Sequence, residues 1–139
     1  MELCDESLEN ILEIKPKTFD RNPNQAINPL EYYISCEIFI EILEAVMYLH
    51  ELNPLIIHRD LKPANILITY NNANNKFFKI CDFGLAAVDE STGKYHNTRV
   101  GTIKYQAPEV GHGLKYDFRA DVYSLGLIGQ ELFEIDFDS

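Results

Sequence analysis

Tyr33, Cys36, Ile40, Leu43 and Met47 recur at spacings of three and four, with Glu37, Glu41 and Glu44 interleaved. That period predicts an amphipathic helix with these five residues toward a core. Asn28-Pro29-Leu30-Glu31 marks its start, with Asn as N-cap, Pro in the first turn and Glu three residues after the cap. The helix should run to about Leu52, where Asn53-Pro54 ends it. From Asp117 to about Ile135 a last helix carries Val122, Leu125, Leu127, Ile128, Leu132 and Phe133 around nearly its whole circumference, which predicts burial on all sides. Gly126 and Gly129 inside it each cost about 1 kcal/mol relative to Ala, so a second backbone is expected close by. Near the start, Met1 to Asp5 reads as a strand end passing into a short helix. Asp5 or Ser7 would cap that helix, and Leu8, Ile11 and Leu12 give it an apolar side.

The remaining stretches are shorter or less regular. Lys15 to Ile27, with two prolines and two asparagines, predicts a surface loop. The β-prone runs Ile66–Tyr70 and Lys76–Cys81 flank Asn71-Asn72-Ala73-Asn74-Asn75 and predict a hairpin, while Ile56-Ile57 predicts a further short strand. Residues 85–107 lack periodicity, as long functional segments do. No internal repeat is visible.

At 139 residues the chain can bury one modest core, and 46% apolar content with eight Phe and eight Tyr is globular composition. No run reaches the ~18 apolar residues of a membrane span, and Met1 to Glu6 lacks a basic signal start, so a cytoplasmic, or else nuclear, location is expected with no membrane partner. The net charge of −10, clustered at Glu2, Asp5, Glu6, Glu9 and Glu13 and at Glu131, Glu134, Asp136 and Asp138, would repel a phosphate backbone. No nucleic acid is expected through this segment. Cys4, Cys36 and Cys81 have no Cys-x-x-Cys spacing and read as reduced thiols.

The candidate chemistry lies in His58-Arg59-Asp60-Leu61-Lys62-Pro63-Ala64-Asn65, followed by Asp82-Phe83-Gly84. A carboxylate, an ammonium and a carboxamide stand at fixed offsets, a set suited to phosphoryl transfer. Pro63 disfavours helix at Lys62, so an ordered non-helical loop is expected, pinned by strands at both ends. The His-Arg-Asp-Leu-x-x-x-Asn run with Asp-Phe-Gly downstream resembles the catalytic apparatus of the eukaryotic protein kinase superfamily. Thr102 to Val110, ending in Ala107-Pro108-Glu109, looks like that family's peptide-positioning loop.

The resemblance implies an α+β, protein-kinase-like fold over residues 1–139. The chain would hold a hinge and a mainly helical large lobe with a small β-hairpin, the small lobe and final helices being absent. It implies ATP and Mg²⁺ as cofactors and a protein substrate. Asp60 would orient the substrate hydroxyl and accept its proton, Lys62 would neutralise the transferred phosphate, and Asn65 and Asp82 would hold Mg²⁺. Glu2 and Cys4 would meet the adenine edge with Met1 as gatekeeper, and Leu67 would floor the adenine pocket. Leu61-Lys62 and Gly101-Thr102 before Tyr105 look like the serine/threonine branch. Arg59 implies control by activation-loop phosphorylation, with Thr98 the best-placed site and Thr102, Ser91, Thr92 and Tyr95 weaker ones. Asp121 resembles the residue that anchors the catalytic-loop backbone.

Met1-Glu2-Leu3-Cys4 with Ser7-Leu8, Gly101-Thr102-x-x-Tyr105 and Ser124 to Ile128 are similar to the kinases of the translation initiation factor 2 alpha subunit, although Tyr105-Gln106-Ala107-Pro108 departs from their commoner Ser-Pro-Glu. The sequence contains no glycine-rich loop and no Val-Ala-x-Lys strand, and the Arg that commonly pairs with Glu109 is missing. The expectation is therefore a fragment of a serine/threonine kinase that is inactive alone; the alternative is a catalytically inactive, truncated kinase-like protein that acts as a binding or regulatory module.

Overall fold

The computed structural model of the chain describes residues 6–69, 77–83, 86–89, 103–112 and 117–136. Strand β1 (Glu6–Ser7) leads into helix α1 (Leu8–Thr18), where Ser7 and Asn10 form a reciprocal capping box. Helix α2 (Pro29–Glu51) begins as its sequence requires, with Asn28 Oδ1 accepting from Glu31 N at 2.8 Å. Strand β2 (Leu55–Ile57), a 3-10 turn (Pro63–Asn65), strands β3 (Ile66–Ile68), β4 (Phe78–Ile80) and β5 (Ala87–Asp89) and a second 3-10 turn (Ile103–Tyr105) follow. Helices α3 (Pro108–Gly111) and α4 (Arg119–Phe133) complete the order.

Two small antiparallel sheets result. One has the order β1-β3-β4, with Ser7 opposite Leu67 and Leu67 opposite Lys79; the other pairs β2 with β5, Ile56 opposite Val88. The mixed α+β character and the β3–β4 hairpin expected from sequence are thus present, while the hairpin's Asn-rich loop lies outside the described residues. Strand β5 falls within the stretch expected to lack regular structure; three residues are too few to print an alternation.

The main core joins Leu8 of α1, Ile38, Ile42 and Val46 of α2, Leu61, Ile66 and Tyr105, and Leu125, Ile128 and Leu132 of α4. This corrects the face expected for α2. Tyr33, Ile40, Leu43 and Met47 are 61%, 49%, 39% and 54% exposed, and the buried line is Glu31, Ser35, Ile38, Ile42, Val46 and Leu49. Two polar residues interrupt the true core stripe, whereas the solvent stripe is apolar throughout. Both polar residues have buried partners: the Glu31 carboxylate meets Lys15 at 3.2 Å and Arg21 at 2.9 Å, and Ser35 Oγ donates to Leu132 O.

Lys15 supplies a second correction. It is not in a surface loop but buried within α1, which continues to Thr18, and its ammonium donates to Leu132 O at the end of α4. Nor is α4 buried all round, since Val122 and Tyr123 are exposed. Gly129 is approached by the Phe39 ring rather than by a backbone, a Cβ there lying 3.1 Å from it, and a Cβ on Gly126 would meet nothing within 4 Å. Finally, the loop around Pro63 is not wholly non-helical, because proline suits the first position of a single turn while Lys62 before it stays extended.

Candidate active site

Strand β2 delivers the chain to His58, and the loop after it is held from below by α4. Asp121, 1% exposed, accepts from His58 N through Oδ2 and from Arg59 N through Oδ1, both at 2.9 Å. The anchoring role expected for Asp121 is therefore seen directly. Arg59 sits at φ 71° between these bonds, a left-handed turn that its amide's bond to Asp121 helps hold. Leu61, buried in the main core, fixes the loop two residues further on.

The loop is bonded to itself and to the segment carrying Asp82. Asp60 N donates to His58 Nδ1 at 3.2 Å, which assigns the ring proton to Nε2, and Nε2 donates to Cys81 O at 2.9 Å. Asn65 Nδ2 donates to Asp60 O at 2.8 Å and lies 3.3 Å from Asp60 Oδ2. Cys81 N donates to Asn65 O at 2.8 Å. Lys62 Nζ stands 3.8 Å from Asp60 Oδ2. Asp60, Lys62 and Asn65 are thus brought together, and Asp82 follows a residue tied to both His58 and Asn65. Asp82 itself is at φ 60° and exposed, with the Phe83 ring edge-on to His58 at 5.1 Å.

Leu67 lies half-buried in β3, in the central strand of its sheet. Glu2, Cys4, Thr98 and Thr102 lie outside the described residues, as do Met1, Ser91, Thr92 and Tyr95. Among the described residues no group of three or more His, Cys, Asp or Glu forms a metal cluster. The donor set at Asn65 and Asp82 instead fits a magnesium ion carried with phosphate and water, since such ions take only one or two protein oxygens. Because the Asn65 amide nitrogen faces Asp60, Oδ1 is the atom left for a cation.

Sequence reasoning passed over several residues. His50 places Nε2 2.8 Å from Asp121 Oδ2, and its ring lies tilted against Phe118 with centroids 5.4 Å apart. Its partner is 71 positions away, so no local spacing could reveal it. His58 was visible only as part of its motif. In the expected peptide-positioning loop, Ser124 Oγ donates to Tyr105 O and Tyr105 OH donates to Glu131 Oε1, each at 2.6 Å. Burial first, and then the bond to Glu131, push the Tyr105 hydroxyl up to about 12. Lys104 Nζ reaches the same carboxylate at 2.7 Å, a bond that raises the ammonium above its ordinary value.

Comparison with known proteins accords with this geometry. The chain is 37% identical over 146 aligned positions to eukaryotic translation initiation factor 2-alpha kinase 1 of Mus musculus, covering 96% of this chain and 23% of the relative. It is 44% identical over 96 positions to mitogen-activated protein kinase kinase 2 of Arabidopsis thaliana, covering 69% of this chain and 25% of the relative. It spans about a quarter of the length of these two curated relatives. Among solved structures, a chain in the crystal structure of the yeast RNA Pol II CTD kinase CTDK-1 complex superposes with a TM-score of 0.69 at 32% identity, over 95% of this chain and 38% of that one. Residues 1–136 match the family model of the protein kinase domain, and the chain belongs to the protein kinase family.

Proposed function

We propose that this chain carries the phosphate-transferring machinery of a protein serine/threonine kinase, using Mg²⁺-ATP as donor and a Ser or Thr hydroxyl of a protein as acceptor. The observation that carries the reading is the convergence of Asp60, Lys62 and Asn65 in one loop, bonded through Cys81 to the segment that bears Asp82. Asp60 Oδ orients the acceptor hydroxyl and takes its proton as the oxygen attacks the γ-phosphorus and ADP leaves. Lys62 balances the charge on the transferred group. Asn65 and Asp82 hold the magnesium ion, which when bound draws charge from the phosphate oxygens. Leu67 lies beneath the adenine, and Glu2 and Cys4 bond its edge.

Arg59 pairs with a phosphate added at Thr98 or Thr102, which places the loop under activation-segment control. Both the donor and the acceptor of this reaction are met in the cytoplasm or nucleus. Because the sequence has no glycine-rich loop or Val-Ala-x-Lys strand, a lobe supplying them completes the ATP pocket, and the chain alone is inactive.

The test is to graft residues 1–136 in place of the matching stretch of the mouse relative and to measure transfer of labelled phosphate to protein, with phosphoamino-acid analysis of the product. Label on Ser or Thr that falls about 10³-fold on Asp60→Asn is the expected result. A folded chimera that transfers nothing, or whose transfer survives Asp60→Asn, removes the proposal.

A further inference from the structure

The stripe that sequence periodicity assigned to the core, Tyr33, Cys36, Ile40, Leu43 and Met47, lies on the solvent side of α2. Its spacing alternates three and four, the 3.5-residue repeat of a helix that packs along a second helix. Four of the five residues are exposed, between 39% and 61%, and Cys36 is half-buried. Over about 21 Å of helix this is a continuous apolar seam, and the core line of the same helix is already filled by contacts with α4 and β4. Large apolar side chains gathered on one face mark an interaction surface more often than isolated ones do.

The seam's border identifies the partner. Taking Tyr33, Ile40 and Met47 as the first position of each repeat, the position flanking the seam on one side is Glu at every repeat, namely Glu37, Glu44 and Glu51, all exposed. On the other side the flank is Tyr32, Phe39 and Val46, of which Phe39 and Val46 pack into the core. A second copy laid antiparallel would set Glu37 and Glu51 against like charges. Laid parallel, it would set them against an apolar, partly buried flank. Glu44 already has a partner within the chain, and neither arrangement neutralises Glu37 and Glu51.

We propose that this face of α2 is a docking surface for an amphipathic helix of another protein, one with an apolar seam of the same repeat bordered by Lys or Arg. The seam supplies affinity by burial, and the carboxylates select a basic border and set register. This inference does not depend on catalysis.

The probe is a labelled synthetic peptide of about three heptads with Leu along the seam and Lys on both borders, beside a twin carrying Glu in place of each Lys. Binding to the 139-residue chain is read by fluorescence anisotropy. The Lys peptide is expected to bind about tenfold or more tighter than its twin at low salt, and the gap should narrow as salt rises. Ile40→Glu with Met47→Glu should abolish binding of both peptides, with folding checked by circular dichroism. Glu37→Lys with Glu51→Lys leaves the seam intact and should invert the preference. Equal binding of the two peptides, no binding of either by the folded chain, or no inversion by the charge-swapped pair overturns the proposal. So does a chain that sediments as a dimer and becomes monomeric on Ile40→Glu, because the seam's occupant is then a second copy.

Discussion

At Asp121 one carboxylate does the work of a scaffold. It receives the backbone amides of His58 and Arg59 and the ring of His50, the first bond buried and the other two part-buried. Asp121→Ala leaves the amides of His58 and Arg59 without an acceptor, and stability in urea should fall by about 3 kcal/mol. Tyr105 allows a titration test. Its hydroxyl is held at about 12, against an ordinary 10.0, by burial and by Glu131. An acid whose proton is held more tightly in the folded state contributes stability below its unfolded pKa, and that contribution is lost as pH rises from about 10 through about 12. In a phenolate absorbance titration, one tyrosine of the folded chain should ionise near that upper value, and Tyr105→Phe should remove it. Asp60, Lys62, Asn65, Asp82 and Asp121 were legible in the sequence as motif positions at fixed spacing, and the structure gathers Asp60, Lys62 and Asn65 into one loop whose amides Asp121 accepts. His50 and Glu131 were illegible, since their partners come from elements distant along the chain and nothing local marks the pairing.

Among the elements, α2 shows how a pattern can be read correctly for type and wrongly for face. Its period and its Asn28 cap predicted the helix, but Glu31 and Ser35 hid the buried stripe, because the groups that satisfy them come from α1, from Arg21 and from the end of α4. Helix α4 poses a similar problem with its glycines. Gly126 faces open space, so Gly126→Ala should stabilise the chain by roughly 0.5–1 kcal/mol through helix propensity alone. Gly129→Ala sets a methyl 3.1 Å from the Phe39 ring, which itself packs edge-on to Phe133. Thermal unfolding of the two variants should therefore rank Gly126→Ala above Gly129→Ala. An equal gain at both positions would mean that the ring moves freely. Two glycines three residues apart are indistinguishable in sequence; only the neighbour across the interface separates them.

For the molecule as a whole, the ion network at Glu31 joins α1, the segment after it, α2 and the end of α4, with Arg21 also reaching Glu134. Burial opposes ionisation of Glu31, but the hydrogen bonds from Arg21 and Lys15 outweigh it and hold its carboxyl below the ordinary value of 4.5. A lowered carboxylate contributes its stability above the unfolded pKa. That contribution should be lost as pH falls from about 4.5 through the folded value. Glu31→Gln should be less stable at neutral pH and show a flatter acid limb in pH-dependent urea unfolding. The general architecture was legible because the helix and hairpin signals are local, whereas this network was not, because its charges lie in stretches that read separately as loop, cap and tail. The way Asp121 holds the loop has one further consequence. It grips main-chain amides, so at position 59 the grip itself asks only for a residue that tolerates the left-handed backbone there. Under the phosphate control proposed above, substitution of Arg59 would therefore remove the phosphate's partner while the loop keeps its place, leaving regulation and architecture free to diverge independently at adjacent atoms.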